Sequence, residues 1–266
     1  LRGKLDIIHS FHDFGAHYFN ELTKFPTLYT FHDPLPQDKN TIEYLRFSKF
    51  PNHNYVSISN SQRNGILNLN FIATVYHGID INLYDFEEKD EGYLIYFGRI
   101  IEEKGIDLAI QVALSLKMPL KIATSPQFIK RVAKYFNQKI APFIDGKNIS
   151  LLGFLEGKEK VEFIKKAKAF VFPLQWQEPF GLTMIEAMAC GVPVVAFGRG
   201  SVPELIKDGE TGFVVDPNEG LQGMEAAIKK IDQIDRLACR KHVEDNFTVE
   251  RMVDNYEKLY QEVINK

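Results

Sequence analysis

Cysteine and tryptophan are scarce, with two cysteines (Cys190 and Cys239) and a single Trp176 among 266 residues. The cysteines form no metal-type spacing, and a chain of this size needs no disulfide framework. An excess of charge of one sign is also missing. With 32 basic against 35 acidic side chains the net charge is −3, which offers no electrostatic case for a nucleic-acid partner. No apolar run approaches the roughly 20 residues a membrane-spanning helix requires, and no signal-peptide pattern opens the chain. A reducing, cytoplasmic setting is the resulting expectation; peripheral membrane contact stays open but is not indicated. Internal repeats and low-complexity tracts are absent. Gly198-Arg199-Gly200 lacks the third glycine of a dinucleotide fingerprint, which removes support for a Rossmann oxidoreductase.

What remains is ordinary globular material, 45% hydrophobic and 25% charged, enough for one large domain or two moderate ones. Short β-rich runs alternate with amphipathic stretches throughout. Asp6–His9, Thr27–Phe31, Tyr55–Ile58 and Phe71–Val75 read as strands, with a helix around Gly15 to Phe25 between the first two. Beyond residue 90 six more follow, at Tyr93–Phe97, Leu120–Ala123, Ile149–Leu152, Ala169–Phe172, Pro193–Phe197 and Phe213–Val215. Ile106, Ala109, Ile110 and Ala113 give the i, i+3, i+4, i+7 stripe of a helix between two of them. Near-continuous apolar strands suit a parallel sheet covered on both faces, and the alternation predicts a doubly wound α/β fold. Polar, acidic Asp85–Gly92 is the best candidate link, dividing the chain into 1–84 and 85–266. A last helix with Val249, Met252, Val253, Tyr256 and Val263 on one face must dock on something, and the first domain is the expected partner.

Three groups of residues carry candidate chemistry. Phe97-Gly98-Arg99 ends a strand and Lys104-Gly105 opens a helix, at the strand end where open α/β sheets collect ligands. Two cations there suit a diphosphate, the alternative being solvated loop charges. The second group runs from Trp176 to Gly191. Its helix is almost wholly apolar yet contains Glu186, a carboxylate that needs a partner if buried; Glu178 stands just before it. Eight helical residues rise about 12 Å and turn about 80°, so this pair suits gripping two parts of a long ligand better than glycoside hydrolysis. The third group is His9, His12 and His32, with Asp13 and Asp33. A metal site there is disfavoured against a histidine donating to a polar ligand, and His9 and His17 taken alone read as core or loop histidines. Ser201-Val202-Pro203-Glu204 has the spacing of a helix capping box. Asp208–Gly212 reads as a turn, and Trp176 and most phenylalanines as core.

Together these residues resemble the retaining glycosyltransferases of the GT-B type, family 4 (group 1). The likeness is carried by Phe97-Gly98-Arg99 with Lys104-Gly105, by Gly153-Phe154-Leu155, by the E-x7-E run from Glu178 to Glu186, and by Gly191–Ala196 and Gly212–Val215. Thr30-Phe31-His32-Asp33 and Tyr76-His77-Gly78-Ile79-Asp80 resemble parts of the family's first domain, with His77 where Asn is usual. The resemblance implies two Rossmann-like doubly wound domains, the first one incomplete. It implies a metal-independent hexosyltransferase, using no cofactor, that moves a sugar from a UDP- or GDP-linked donor to an acceptor hydroxyl with retention. The acceptor could be a saccharide, a lipid-linked sugar or a small molecule. Arg99 and Lys104 would hold the diphosphate, Glu178 the transferred sugar and Glu186 the ribose. Gly98, Pro179, Phe180, Gly181 and Leu182 would cradle sugar and phosphate, Gly153, Phe154 and Leu155 would edge the base, and His32 would reach the sugar from the opposite domain.

The family's opening strand and glycine-rich loop have no counterpart here, and the chain starts at Leu1. Roughly 80 to 100 residues are therefore expected to be missing relative to two full domains. The competing expectation is a non-catalytic, donor-binding chain whose active site a second chain or upstream segment completes.

Overall fold

In the computed structural model, which describes residues 5–11, 15–20, 22–23 and 25–265, ten parallel strands form two sheets. The first contains β1 (Ile8–Ser10), β2 (Thr27–Thr30), β3 (Asn54–Ser57) and β4 (Phe71–Thr74), paired in chain order. The second contains β5 (Leu94–Phe97), β6 (Leu120–Ala123), β7 (Ile149–Gly153), β8 (Ala169–Phe172), β9 (Val194–Phe197) and β10 (Gly212–Val215). Its spatial order is β10-β9-β8-β5-β6-β7. All ten expected strands are present, β1 beginning later than Asp6.

Helices α1 (Gly15–Asn20) and α2 (Ile42–Phe47) connect strands of the first sheet. The second lobe carries α3 (Ile106–Leu116), α4 (Pro126–Arg131), α5 (Ala133–Lys139), α6 (Gly157–Lys165), α7 (Leu182–Ala189), α8 (Val202–Leu205) and α9 (Gly220–Lys229). α10 (Arg236–Asn246) and α11 (Val249–Ile264) end the chain. The fold is α/β with two Rossmann-like lobes. In the second sheet the winding reverses between β5 and β8, so the loops after these two strands open the crevice where such sheets bind ligands. Both strands are completely buried, and Ile106, Ala109, Ile110 and Ala113 of α3 pack into the same core.

Two expectations about helices need correction. α1 stops at Asn20 instead of reaching Phe25, and turn bonds from Leu22 and Thr23 to Phe19 and Asn20 close it. Pro26 disfavours helical geometry at the residue before it. On α11 the buried face is Met252, Tyr256, Leu259 and Val263, while Val253 is exposed, because one residue turns the helix by about 100°. This face closes over Leu28, Val56 and Val75 of the first sheet.

The chain thus crosses between lobes twice, and the crossings are fastened together. Ile79 donates to Phe247 O at 2.9 Å and accepts from Val249 N at 3.2 Å. A Cβ on Gly78 would lie 2.1 Å from Thr248 O, so only glycine permits this approach.

Candidate active site

The centre of the crevice is a buried ion pair. Lys104 ends a short 3₁₀ turn, followed by Gly105 at φ 69°. A Cβ on Gly105 would sit 2.0 Å from Pro173 O, so the glycine lets this turn press against the loop after β8. That contact brings Lys104 Nζ onto Glu178 Oε2, which also accepts from Trp176 Nε1 at 2.9 Å. The ammonium lies 4.9 Å from the Trp176 ring centroid. Burial pulls the Lys104 pKa below the ordinary lysine value, and the Glu178 carboxylate opposes that shift.

Around the pair the groups complementary to anions gather. Arg99 is exposed at the end of β5, and among the described residues no hydrogen bond or ion pair engages its guanidinium. Gly181, at φ 89°, turns the chain into the first residues of α7, whose free N–H groups and helix dipole favour negative charge. From the first lobe comes a histidine pair. His32 Nδ1 and His77 Nε2 share a hydrogen bond of 3.3 Å with the rings stacked, and His77 stands edge-on to Phe180. Burial, with His32 nearby acting in the same direction, lowers the His77 pKa to about 4. These elements enclose a cavity of about 330 Å³.

Of the residues singled out from sequence, His32, Gly98, Arg99, Lys104, Glu178, Pro179, Phe180, Gly181 and Leu182 line this cavity. Gly153, Phe154, Leu155 and Glu186 do not. Gly153 ends β7 and accepts from Thr124 N, Phe154 is 61% exposed and Leu155 packs on the core. Glu186 does have the partner its burial demands, its Oε1 accepting from Tyr84 at 2.9 Å and Lys160 at 2.7 Å. Lys160 in turn lies 5.7 Å from the ring centroid of Phe97, which lines the cavity.

The histidine cluster breaks up. His12 and Asp13 lie outside the described residues. His9 spends both ring nitrogens on Tyr260 and Thr30, a packing role, as does His17 in its stack with Tyr29. Among the described residues no three His, Cys, Asp or Glu side chains gather as a metal site.

The capping box is a correction. Ser201 donates to Phe180 O, and Glu204 leaves its own helix to accept from Asn60 N at 2.7 Å, Ser61 N at 2.6 Å and Tyr76 at 2.8 Å, all in the first lobe. A larger groove of about 790 Å³ lies beside Glu204, and none of the predicted site residues lines it.

Sequence reasoning missed His77, Tyr84, Lys160 and the hydrogen bond of Trp176. His77 had a signal, as the departure from asparagine in its turn. Lys160 and Tyr84 had none, because their meeting with Glu186 is purely tertiary.

The family model described as "Glycosyl transferases group 1" matches residues 85–241. An uncharacterized glycosyltransferase of Methanocaldococcus jannaschii is 26% identical over 97% of this chain and 76% of its own length. Sucrose-phosphate synthase of Thermosynechococcus elongatus has a similar structure, with TM-score 0.82 at 18% identity over 98% of this chain and 74% of that one. Anabaena HepE, in complex with UDP and glucose, superposes with TM-score 0.76 at 20% identity, over 97% and 78%. Three other curated relatives are matched over only 47%, 58% and 54% of their lengths. At these identities the structures speak for the fold. The family match, in contrast, spans more than half the chain and includes Arg99, Lys104, Glu178 and Glu186. The chain belongs to the group 1 glycosyl transferase family.

Proposed function

We propose that this chain binds a nucleoside-diphosphate sugar in the crevice between its lobes and transfers the sugar, with retention, to an acceptor hydroxyl. The observation that carries this reading is the convergence of Arg99, the Lys104–Glu178 pair and the amino end of α7 on one cavity at the point where the winding of the sheet reverses. A diphosphate placed there meets two cations and a helix amino-terminus in a partly desolvated site, where such interactions are strong. Glu178 then faces the hydroxyls of the transferred sugar, and His32 approaches it from the first lobe. Glu186, whose partner Lys160 lies over the Phe97 ring, accepts from the ribose, with Gly153 to Leu155 beside the base.

In the transfer, the bond between the anomeric carbon and the diphosphate oxygen breaks and a bond to the acceptor oxygen forms on the same face. Arg99 and Lys104 carry the charge of the departing diphosphate, which takes the acceptor proton. Their two charges stand in for a cation, so activity is expected to survive a chelator. Anabaena HepE, bound to UDP and glucose, supports a UDP-linked donor; a GDP-linked one is the alternative.

Calorimetric titration with UDP-, GDP- and ADP-sugars tests the donor reading, and NMR of the product's anomeric configuration tests retention. Binding of none of the three removes the reading. A second reading, in which this chain binds donor but needs more polypeptide to turn over, is favoured by the exposed apolar side chains Phe11, Tyr18, Phe19 and Leu22 of the first lobe. Donor binding without transfer to any acceptor, restored by adding a second polypeptide, would favour it.

A further inference from the structure

Glu186 sits in an arrangement that the resemblance did not imply. Its Oε1 takes two donors at once, Tyr84 from the connection between the lobes and Lys160 from α6. Among the described residues no hydrogen bond engages Oε2. The Lys160 side chain is 28% exposed and Glu186 is 13% exposed, so the pair is sheltered yet open to a ligand. An ammonium has three protons, and Lys160 uses one on Glu186. A cation that merely plugged the carboxylate would compete for both oxygens; here one oxygen is anchored and the other is left for a donor.

A fixed carboxylate oxygen beside an ammonium is complementary to a vicinal diol. One hydroxyl can donate to Oε2 while its neighbour accepts from the ammonium, each bond having one charged partner and so being stronger than a neutral one. We propose that Lys160 is a specificity-determining residue of this chain, forming with Glu186 a two-point clamp for the ribose cis-diol of the donor nucleotide. Tyr84 is a positioning residue that holds the carboxylate for it. The clamp rests on the donor reading above and sharpens it, since it demands a ribonucleotide and assigns part of that demand to a lysine.

The test is calorimetric titration of the unaltered chain, Lys160→Met, Lys160→Arg and Tyr84→Phe with the best-bound of UDP, GDP and ADP and with its 2′-deoxy counterpart. The unaltered chain is expected to prefer the ribonucleotide by about tenfold or more, the size of one charge-assisted hydrogen bond. Lys160→Met should weaken the ribonucleotide by about tenfold and leave the deoxynucleotide within about threefold, so that the preference collapses. Lys160→Arg, which keeps a cationic donor, should restore most of it, and Tyr84→Phe should reduce it partially. Ribonucleotide binding by Lys160→Met that is unchanged or tighter overturns the clamp alone, as does equal weakening of both nucleotides. Failure of the unaltered chain to bind any of the three overturns the donor reading and the clamp with it.

Discussion

Replacing Glu204 by alanine removes one of the acceptors through which the second lobe holds the first. The carboxylate takes two backbone N–H groups, from Asn60 and Ser61, and the Tyr76 hydroxyl, at 2.6 to 2.8 Å. The two N–H groups open the 3₁₀ turn Ser61–Arg63, whose N-cap residue Asn60 makes no side-chain cap; the Ser59 hydroxyl accepts from Gln62 N, and Glu204, from the other lobe, accepts from the remaining two donors. A hydrogen bond to a charged group contributes about 1.5 to 3 kcal/mol. Asn60 is exposed and Glu204 half-buried, and water replaces much of what the carboxylate provides, leaving a net loss of about 2 to 3 kcal/mol. For a chain of this size about 2 °C accompanies each kcal/mol, so the melting temperature should fall by about 4 to 6 °C. Glu204→Gln should fall less, because an amide oxygen still accepts while its NH2 faces donors. Thermal unfolding followed by circular dichroism measures this, and combining Glu204→Ala with Tyr76→Phe gives the coupling directly. A melting temperature within about 1 °C of the unaltered chain, or full additivity with Tyr76→Phe, would refute the reasoning.

Arg99→Ala and Lys104→Met should each lower sugar transfer by about 10²- to 10³-fold, the effect of losing one transition-state donor; unchanged initial rates in both would sink the leaving-group assignment. Gly105→Ala should cost about 3 kcal/mol in urea unfolding, since it forces a side chain into left-handed geometry and against the Pro173 carbonyl; an unchanged midpoint would contradict the packing described. Burial first, and a neighbouring histidine second, lower the pKa values of His9, His17 and His77 to about 4. The unfolded chain takes up these protons near the ordinary histidine value of 6.5 and the folded chain only near 4, so stability should drop as the pH falls between those values. A melting temperature flat from pH 7 to 4 would exclude it.

The strands were legible because each is a short apolar run bounded by turn residues, and the α3 stripe because its period survives burial. Helix ends were less so: Phe25 looks like the last apolar position of a helix, yet α1 stops at Asn20, where turn bonds from Leu22 and Thr23 close it, and Pro26 disfavours helical geometry at Phe25 itself. In the site, Lys104, Glu178 and the Gly181 turn are close enough in the chain's local logic to be named in advance. Glu186 announced itself as a charge in an apolar helix, but the identity of its partners depended on how α6 and the connection between the lobes lie over α7. Glu204 misled for the complementary reason. Its spacing from Ser201 satisfies a local rule, and a cap across the cleft, 143 residues away in sequence, outcompetes it.

The return of α11 to the first sheet also constrains the order of folding. The second lobe, from Tyr93 to Phe247, is an unbroken stretch whose core needs nothing made later. The first sheet is made earlier, yet Leu28, Val56 and Val75 remain uncovered until Leu259 and Val263 have been synthesised. At the ribosome, the lobe begun second is therefore the first that can finish, and the earlier sheet must wait through about 185 residues of synthesis, from Val75 to Leu259 and Val263, at about 5 to 20 residues per second, with an apolar face open to water.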